Sequence, residues 1–252
     1  MRADEYLFKI KLYDSRTKAK QAIERGEVYI DNINITKSSM HIDELVDHDI
    51  KKVCDEEYVS LGGYKLKKGL IDFNFSVNNL TCADIGASTG GFTDCLLKYG
   101  AKKVYAVDLN DSLLHYKLKQ NERVIPIIKN AKQLSLNDFN DKIDLITVDL
   151  SFISASLILP ILSDIIDDNK NIILLIKPQF ETQKKEKHKN GIIKDKVLRY
   201  NACKNVIECA EKNNLYASNI TTAPIYEDKN IEYLVFLTKG KKSNFNLKEY
   251  FC

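Results

Sequence analysis

Four charged residues stand at the edges of apolar runs or beside glycine pairs: Lys65 in LGGYKLKKGL, Asp149 in VDLSF, Lys177 in LLIKPQFE and Glu232 in KNIEYLVFL. Two amines and two carboxylates brought to one place can bind a weakly acidic hydroxyl and relieve it of its proton. Singly, each is ordinary, because a carboxylate after a strand often caps a helix and a lysine before proline is often solvated. A second cluster, ADIGASTGG, closes an apolar run with Asp84 and then opens a side-chain-poor turn through Gly86, Ala87, Ser88, Thr89, Gly90 and Gly91. A glycine-rich turn between strand and helix lets backbone N–H groups approach a ligand. The turn lacks the GxGxxG of dinucleotide sites and the GxxxxGK of P-loops, and Asp108 follows about 20 residues on, where an acid can hydrogen-bond a ribose. A glycine turn plus a ribose acid without a phosphate signature points to a nucleoside-like cofactor lacking phosphates. S-adenosyl-L-methionine is the candidate.

The elements that must position these groups alternate along the chain. TCADI, KVYAVDL, VIPII, KIDLITVDL, NIILLI and IEYLVFL read as strands, separated by helix-periodic segments such as GGFTDCLLKYG and DKVLRYNACKNVIECAEKN. The alternation predicts a Rossmann-like α/β fold: a mostly parallel sheet with helices on both faces and ligands beyond the carboxyl ends of the strands. Ahead of it, DSRTKAKQAIERG reads as a helix with Ser15 as N-cap and Gly26 as C-cap, and EVYIDNINI as a hairpin turning at DN. The boundaries expected are a small α+β unit over 1–52, a linker over 53–60 and the α/β unit over 61–252.

Charge is distributed unevenly between these parts. Lys9, Lys11, Arg16, Lys18, Lys20 and Arg25 face only Asp14 and Glu24 in residues 9–25, whereas Asp31, Asp43, Glu44, Asp47 and Asp49 dominate the next stretch. A second basic run after Lys177, with Lys184, Lys185, Lys187 and Lys189, is placed to grip phosphates beside a target nucleotide, although a solvated loop would look the same. The net charge of +3 is too small to name a partner. The six cysteines contain no CxxC pair, and His41, His48, His115 and His188 form no ligand set, so no metal is expected and the thiols read as free. No apolar run approaches the roughly 20 residues that cross a bilayer and no leader opens the chain, which together predict a cytoplasmic protein. Phe92, Phe152 and Phe180 follow motif residues, where they line a pocket or simply join the core.

Two resemblances attach to these motifs. MRADEYL with SRTKAKQAIERGEVYIDNINI resembles the alpha-L RNA-binding motif of a ribosomal protein, implying RNA contact by Arg2, Arg16, Lys18 and Lys20. YVSLGGYKL, DIGASTGGFTDCLLKYGAKKVYAVD, DLSFIS, LIKPQFE, GIIKD and NIEYL resemble the TlyA family of ribosomal RNA 2'-O-methyltransferases, whose catalytic domain is similar to FtsJ/RrmJ. That resemblance implies a Lys-Asp-Lys-Glu tetrad at Lys65, Asp149, Lys177 and Glu232. It also implies a donor site formed by Asp84, Gly86 to Gly91, Asp108 and Asp149. Lys177 is then the base or the hydrogen-bonding orienter of a ribose hydroxyl, with Asp149 and Glu232 orienting the amines and Asp149 also stabilising the donor's positive charge. Leu61, the DLN at 108–110 and Lys229 depart from the family pattern. The short ends resemble the subgroup that modifies a cytidine of large-subunit rRNA alone, making rRNA or a ribosomal subunit the expected partner. Two alternatives stay open: a haemolysin or other membrane-active protein, a label carried by members of that family, and a non-catalytic RNA-binding factor.

Overall fold

The structure is a computed structural model describing residues 1–24, 28–31, 33–52, 58–182, 191–226 and 229–251. The chain divides into two compact units, Met1–Glu57 and Tyr58–Cys252.

In the first unit, α1 (Ala3–Lys9) and α2 (Arg16–Glu24) precede β1 (Val28–Ile30), β2 (Ile33–Asn34) and β3 (Ile50–Lys52). Ser15 caps α2 as its sequence predicts, its Oγ accepting the Lys18 N–H at 3.2 Å. Gly26, the expected C-cap, lies outside the described residues. The three strands form an antiparallel sheet in the order β2-β1-β3, and Ile30 opposite Ile33 closes the expected hairpin. Asp31 turns the chain at φ 52°, in the left-handed region that two-residue hairpins require. Ala19, Ala22 and Ile23, at helical spacing on α2, meet Leu7, Val28, Ile30 and Ile35 in one apolar core.

The second unit runs α3 (Leu61–Asp72), β4 (Thr81–Ile85), α4 (Gly91–Lys98), β5 (Lys103–Asp108), α5 (Tyr116–Lys119), β6 (Val124–Ile128), β7 (Leu145–Val148), α6 (Leu159–Ile165), β8 (Asn171–Ile176), α7 (Pro178–Glu181), α8 (Lys196–Lys212), β9 (Leu215–Thr222), β10 (Tyr233–Lys239) and α9 (Leu247–Phe251). Its seven strands lie in the order β6-β5-β4-β7-β8-β10-β9. The first five are parallel, and β10 enters antiparallel between β8 and β9. This is the expected Rossmann-like sheet, with an antiparallel end.

β9 carries little strand signal. Its register against β10 shifts where Asn219 opposes Phe236 and Ala217 opposes Leu237, so Ser218 is an extra residue that breaks the two-residue alternation.

Strand periodicity sorts the sheet's side chains between two apolar layers. Ile146 and Val148 of β7, Ile172, Leu174 and Ile176 of β8, and Val235 and Leu237 of β10 join α6 and α8 on one face. Leu145, Ile173, Leu175 and Leu234 join α3 and α4 on the other. Of the expected linker, residues 53–57 lie outside the described set. Tyr58 is buried in this second layer, its ring against Gly63 of α3, where any Cβ would strike it.

Candidate functional site

The same period of two decides where the strand-end charges point. Asp149 continues the parity of Leu145 and Thr147, Lys177 that of Ile173 and Leu175, and Glu232 that of Leu234. All three therefore emerge on the layer that holds α3, the helix carrying Lys65.

The structure joins the four into two ion pairs. Lys177 Nζ lies 2.5 Å from Asp149 Oδ1 and donates a hydrogen bond to Ser151 Oγ at 2.8 Å. Lys65 Nζ donates to Glu232 Oε2 at 2.6 Å, and Gln179 Nε2 reaches Glu232 Oε1 at 3.3 Å. Burial works against the Lys65 charge, yet the carboxylates of Asp149 and Glu232 outweigh it and raise the pKa of Lys65 above its ordinary value. Asp149 thus acts on both amines, linking the pairs electrically. Only Asp149 and Lys177 of the four line the open cleft described next.

That cleft, about 170 Å³ in volume, is walled by Ser60, Gly62, the Gly86–Thr89 turn, Gly91, Phe92, Asp149, Ser151 and Lys177. A smaller hollow lies on the other side of the turn, bounded by Ala87, Ser88, Asp108, Asn110, Leu114 and Ile127. Ala87 and Ser88 belong to both, so a ligand with a nucleoside end and an amino-acid end can straddle the turn. Asp108 is fixed in place: its Oδ2 accepts the Ser88 N–H at 2.8 Å and its Oδ1 the Leu109 N–H at 2.7 Å, leaving each oxygen a further lone pair.

The glycines serve protein packing more directly than ligand approach. Gly86 sits at φ 88°, and a Cβ there would come within 2.6 Å of the Asp149 carbonyl oxygen. Gly90, at φ 92°, leaves no room for a Cβ beside Leu118. The N–H groups of Gly86 and Ala87 are already bonded to the Val107 carbonyl, at 2.9 and 3.0 Å.

Asp84 departs from its expected place at the cofactor. Parity turns it inward beneath α4, where it is fully buried and accepts hydrogen bonds from the hydroxyls of Thr93 at 2.7 Å and Thr147 at 3.1 Å. Burial pushes its pKa up to about 7, against the lowering effect of the two threonines. It supports the floor of the turn and does not line the cleft.

Ser60, Gly62 and Ser151, inside the YVSLGGYKL and DLSFIS stretches, complete the wall. Ser60, Gly62 and Ser151 were not legible as site residues, and only the spacing of Ser151, two positions after Asp149, hints at its shared face. Gln179 gave no signal either.

Among the residues expected at RNA, Arg2 and Arg16 converge on one buried acid. Arg2 Nε lies 2.9 Å from Asp4 Oδ1 and Arg16 Nη2 lies 3.3 Å from Asp4 Oδ2. Lys18 pairs with Asp14 at 2.9 Å and Lys20 with Glu24 at 3.6 Å, both one helical turn apart. Lys184, Lys185, Lys187 and Lys189 lie outside the described residues. Within the described residues no helix is long and apolar enough to cross a membrane, and no group of three or more His, Cys, Asp or Glu side chains could hold a metal ion.

Comparison with known proteins agrees with this geometry. Residues 58–239 match the FtsJ-like methyltransferase model and residues 1–44 the S4 domain. Hemolysin A of Brachyspira hyodysenteriae is 43% identical over 241 residues, covering 93% of this chain and 98% of that protein. The 23S rRNA (cytidine-2'-O)-methyltransferase TlyA of Campylobacter jejuni is 32% identical, with 95% and 100% covered. A solved structure of a presumed hemolysin from Streptococcus thermophilus superposes with a TM-score of 0.77 at 34% identity, covering 100% of this chain and 94% of that one. The chain belongs to the family of FtsJ-like methyltransferases, with an S4 domain at its N-terminus.

Proposed function

We propose that the protein methylates the 2'-oxygen of a cytidine ribose in ribosomal RNA, with the large-subunit rRNA as substrate and S-adenosyl-L-methionine as donor. The observation that carries this reading is the meeting of two lysine–carboxylate pairs, from four separate elements, one of them lining the cleft whose wall is the glycine turn. When bound, the donor supplies a methyl group already activated on a sulfonium. The protein is left to align the acceptor and manage one proton.

The two hollows fit such a donor. Asp108 offers its spare lone pairs to the ribose hydroxyls of the nucleoside end, and Ser60, Thr89 and the start of α4 face the amino-acid end. Asp84 holds the turn from below. At the acceptor, Lys177 binds the 2'-hydroxyl; once it has released its own ammonium proton to solvent, it receives the hydroxyl proton as the oxygen–carbon bond forms and the donor's sulfur–carbon bond breaks, and Asp149 stabilises the ammonium so regenerated. Lys65, kept charged by Asp149 and Glu232, fixes Asp149 electrostatically and serves as a counter-ion rather than a base. The S4 unit, through Arg2, Arg16, Lys18 and Lys20, supplies phosphate contacts that position the RNA. The Campylobacter relative, named for the same modification of 23S rRNA, supports the substrate assignment.

The test is methyl transfer by Lys177→Ala to ribosomal subunits lacking the modification, with donor binding measured by calorimetry. Turnover is expected to fall by at least 100-fold, the lower end of what a general base contributes, while the donor's Kd changes by only a few-fold. Turnover within a few-fold of the parent would remove Lys177 from the reaction. Mapping 2'-O-methylation on both rRNAs reads the target directly, and a product on the small subunit alone would contradict the substrate proposed here.

A further inference from the structure

Glu181 ends α7 and is the charged residue of KPQFE that the reaction does not use. Its carboxylate is largely buried, and burial raises its pKa above the usual carboxylate value against the opposing pull of two hydrogen bonds. Those bonds come from the loop that leaves β7. Ser154 Oγ donates to Oε2 at 2.5 Å, and the Ala155 N–H donates to Oε1 at 2.7 Å.

The loop is anchored at its other end by the sheet, where the Asp149 N–H donates to the Ile85 carbonyl at 3.0 Å. Between the two anchors lie Ser151, whose Oγ accepts from Lys177 Nζ, and Phe152. Phe152 sits at φ 69° and is 87% exposed, a conformation that a bulky residue holds only where its surroundings impose it. The KPQFE turn thus grips this loop at successive points: Lys177 at Asp149 and Ser151, Phe180 with its ring centroid 5.3 Å from that of Phe152, and Glu181 at Ser154 and Ala155. Removing the last grip leaves Asp149 held by the sheet and Ser151 held by the Lys177 bond on a loop loosened at its far end.

We propose that Glu181 is a positioning residue for methyl transfer: by holding Ser154 and Ala155 it fixes the β7 loop so that the Ser151 hydroxyl stays on Lys177 Nζ. The inference rests on the role assigned to Lys177 above. It separates Glu181 from a mere stabilising cap, because a residue acting through Ser151 loses its effect once Ser151 is gone.

The experiment compares the full-length parent with Glu181→Ala, Ser151→Ala, the double variant and Glu181→Gln. The substrate is large ribosomal subunits lacking the modification, with kcat, KM and the donor's Kd read for each. Glu181→Ala and Ser151→Ala are each expected to lower kcat about tenfold with the donor's Kd within threefold, and the double variant to be no worse than the weaker single. Gln is expected to restore kcat to within about threefold of the parent, since its Oε1 can accept from Ala155 while its Nε2 donates to a rotated Ser154 hydroxyl. Amide hydrogen exchange at Ser151–Ala155 is expected to quicken in Glu181→Ala. Losses that multiply in the double variant, a kcat within twofold of the parent in Glu181→Ala, or unchanged exchange would each overturn the proposal. Where Glu181→Ala does not fold, Ser154→Ala takes its place in the same cycle with Ser151→Ala, and multiplied losses overturn the proposal again. A parent without turnover, alongside faster exchange in the variant, would sink the methyl-transfer reading while leaving the loop-fixing role of Glu181 intact.

Discussion

At the scale of single residues, the site is a division of labour among carboxyl groups set by burial. Asp149 faces the cleft and an amine, Asp108 faces the second hollow, and Asp84 is sealed under the turn, bonded by the hydroxyls of Thr93 and Thr147 and the backbone of Thr93. The Asp84 environment gives a prediction with a definite sign. Its carboxyl titrates near pH 7 in the folded protein and near 3.8 in the unfolded chain, so between those values the folded state holds the extra proton. Stability contributed by this group therefore falls as pH rises from about 4 to about 7 and is flat beyond. Asp84→Asn removes the titration. The stability difference between parent and variant, from denaturant melts at each pH, is expected to move steadily in favour of the variant across that window. A difference that does not change with pH would show that Asp84 ionises normally.

At the scale of elements, the turn and the strand ends form one packed object. Gly86 leaves no room for a Cβ against the Asp149 carbonyl, so the glycine turn and the loop leaving β7 are packed closely together. Gly86→Ala forces a left-handed backbone onto a residue with a Cβ, at about 1–2 kcal/mol. It also drives that Cβ into a carbonyl, a kind of overpacking that typically costs about 1–3 kcal/mol. A loss of about 3 kcal/mol in unfolding free energy is expected, together with weaker donor binding in calorimetry. Stability and affinity both equal to the parent's would mean that the turn relaxes without consequence. The legibility of this region was uneven for physical reasons. Long β-branched runs such as NIILLI announce their strands, and Asp195 caps α8 by accepting the N–H groups of Val197 and Leu198, as an acid before a helix should. β9 stayed hidden because its bulge at Ser218 breaks the alternation on which a strand is recognised.

At the scale of the whole molecule, a small S4 domain with basic residues on its second helix precedes a larger FtsJ-like methyltransferase domain. The surface pairs of Lys18 and Lys20 are solvent-screened and weak, so phosphates can displace Asp14 and Glu24 from them. With about four phosphates neutralised by Arg2, Arg16, Lys18 and Lys20, affinity for rRNA is expected to fall roughly 100-fold between 50 and 200 mM salt. Filter binding across that range measures the slope, and a flat response would exclude phosphate contacts as the source of affinity. The sequence by itself determined the α/β alternation, the absence of phosphate-binding glycine motifs, the four charged strand-end and helix residues, and the acid spaced for a ribose, because each is written in local pattern or fixed spacing. Only the tertiary structure decided that Asp84 turns inward, that Lys65 pairs with Glu232 and Lys177 with Asp149, and that Ser60, Ser151, Gln179 and Glu181 stand around them. Those choices depend on which face of each strand meets α3 and on contacts between residues far apart in the chain, and no local pattern encodes either.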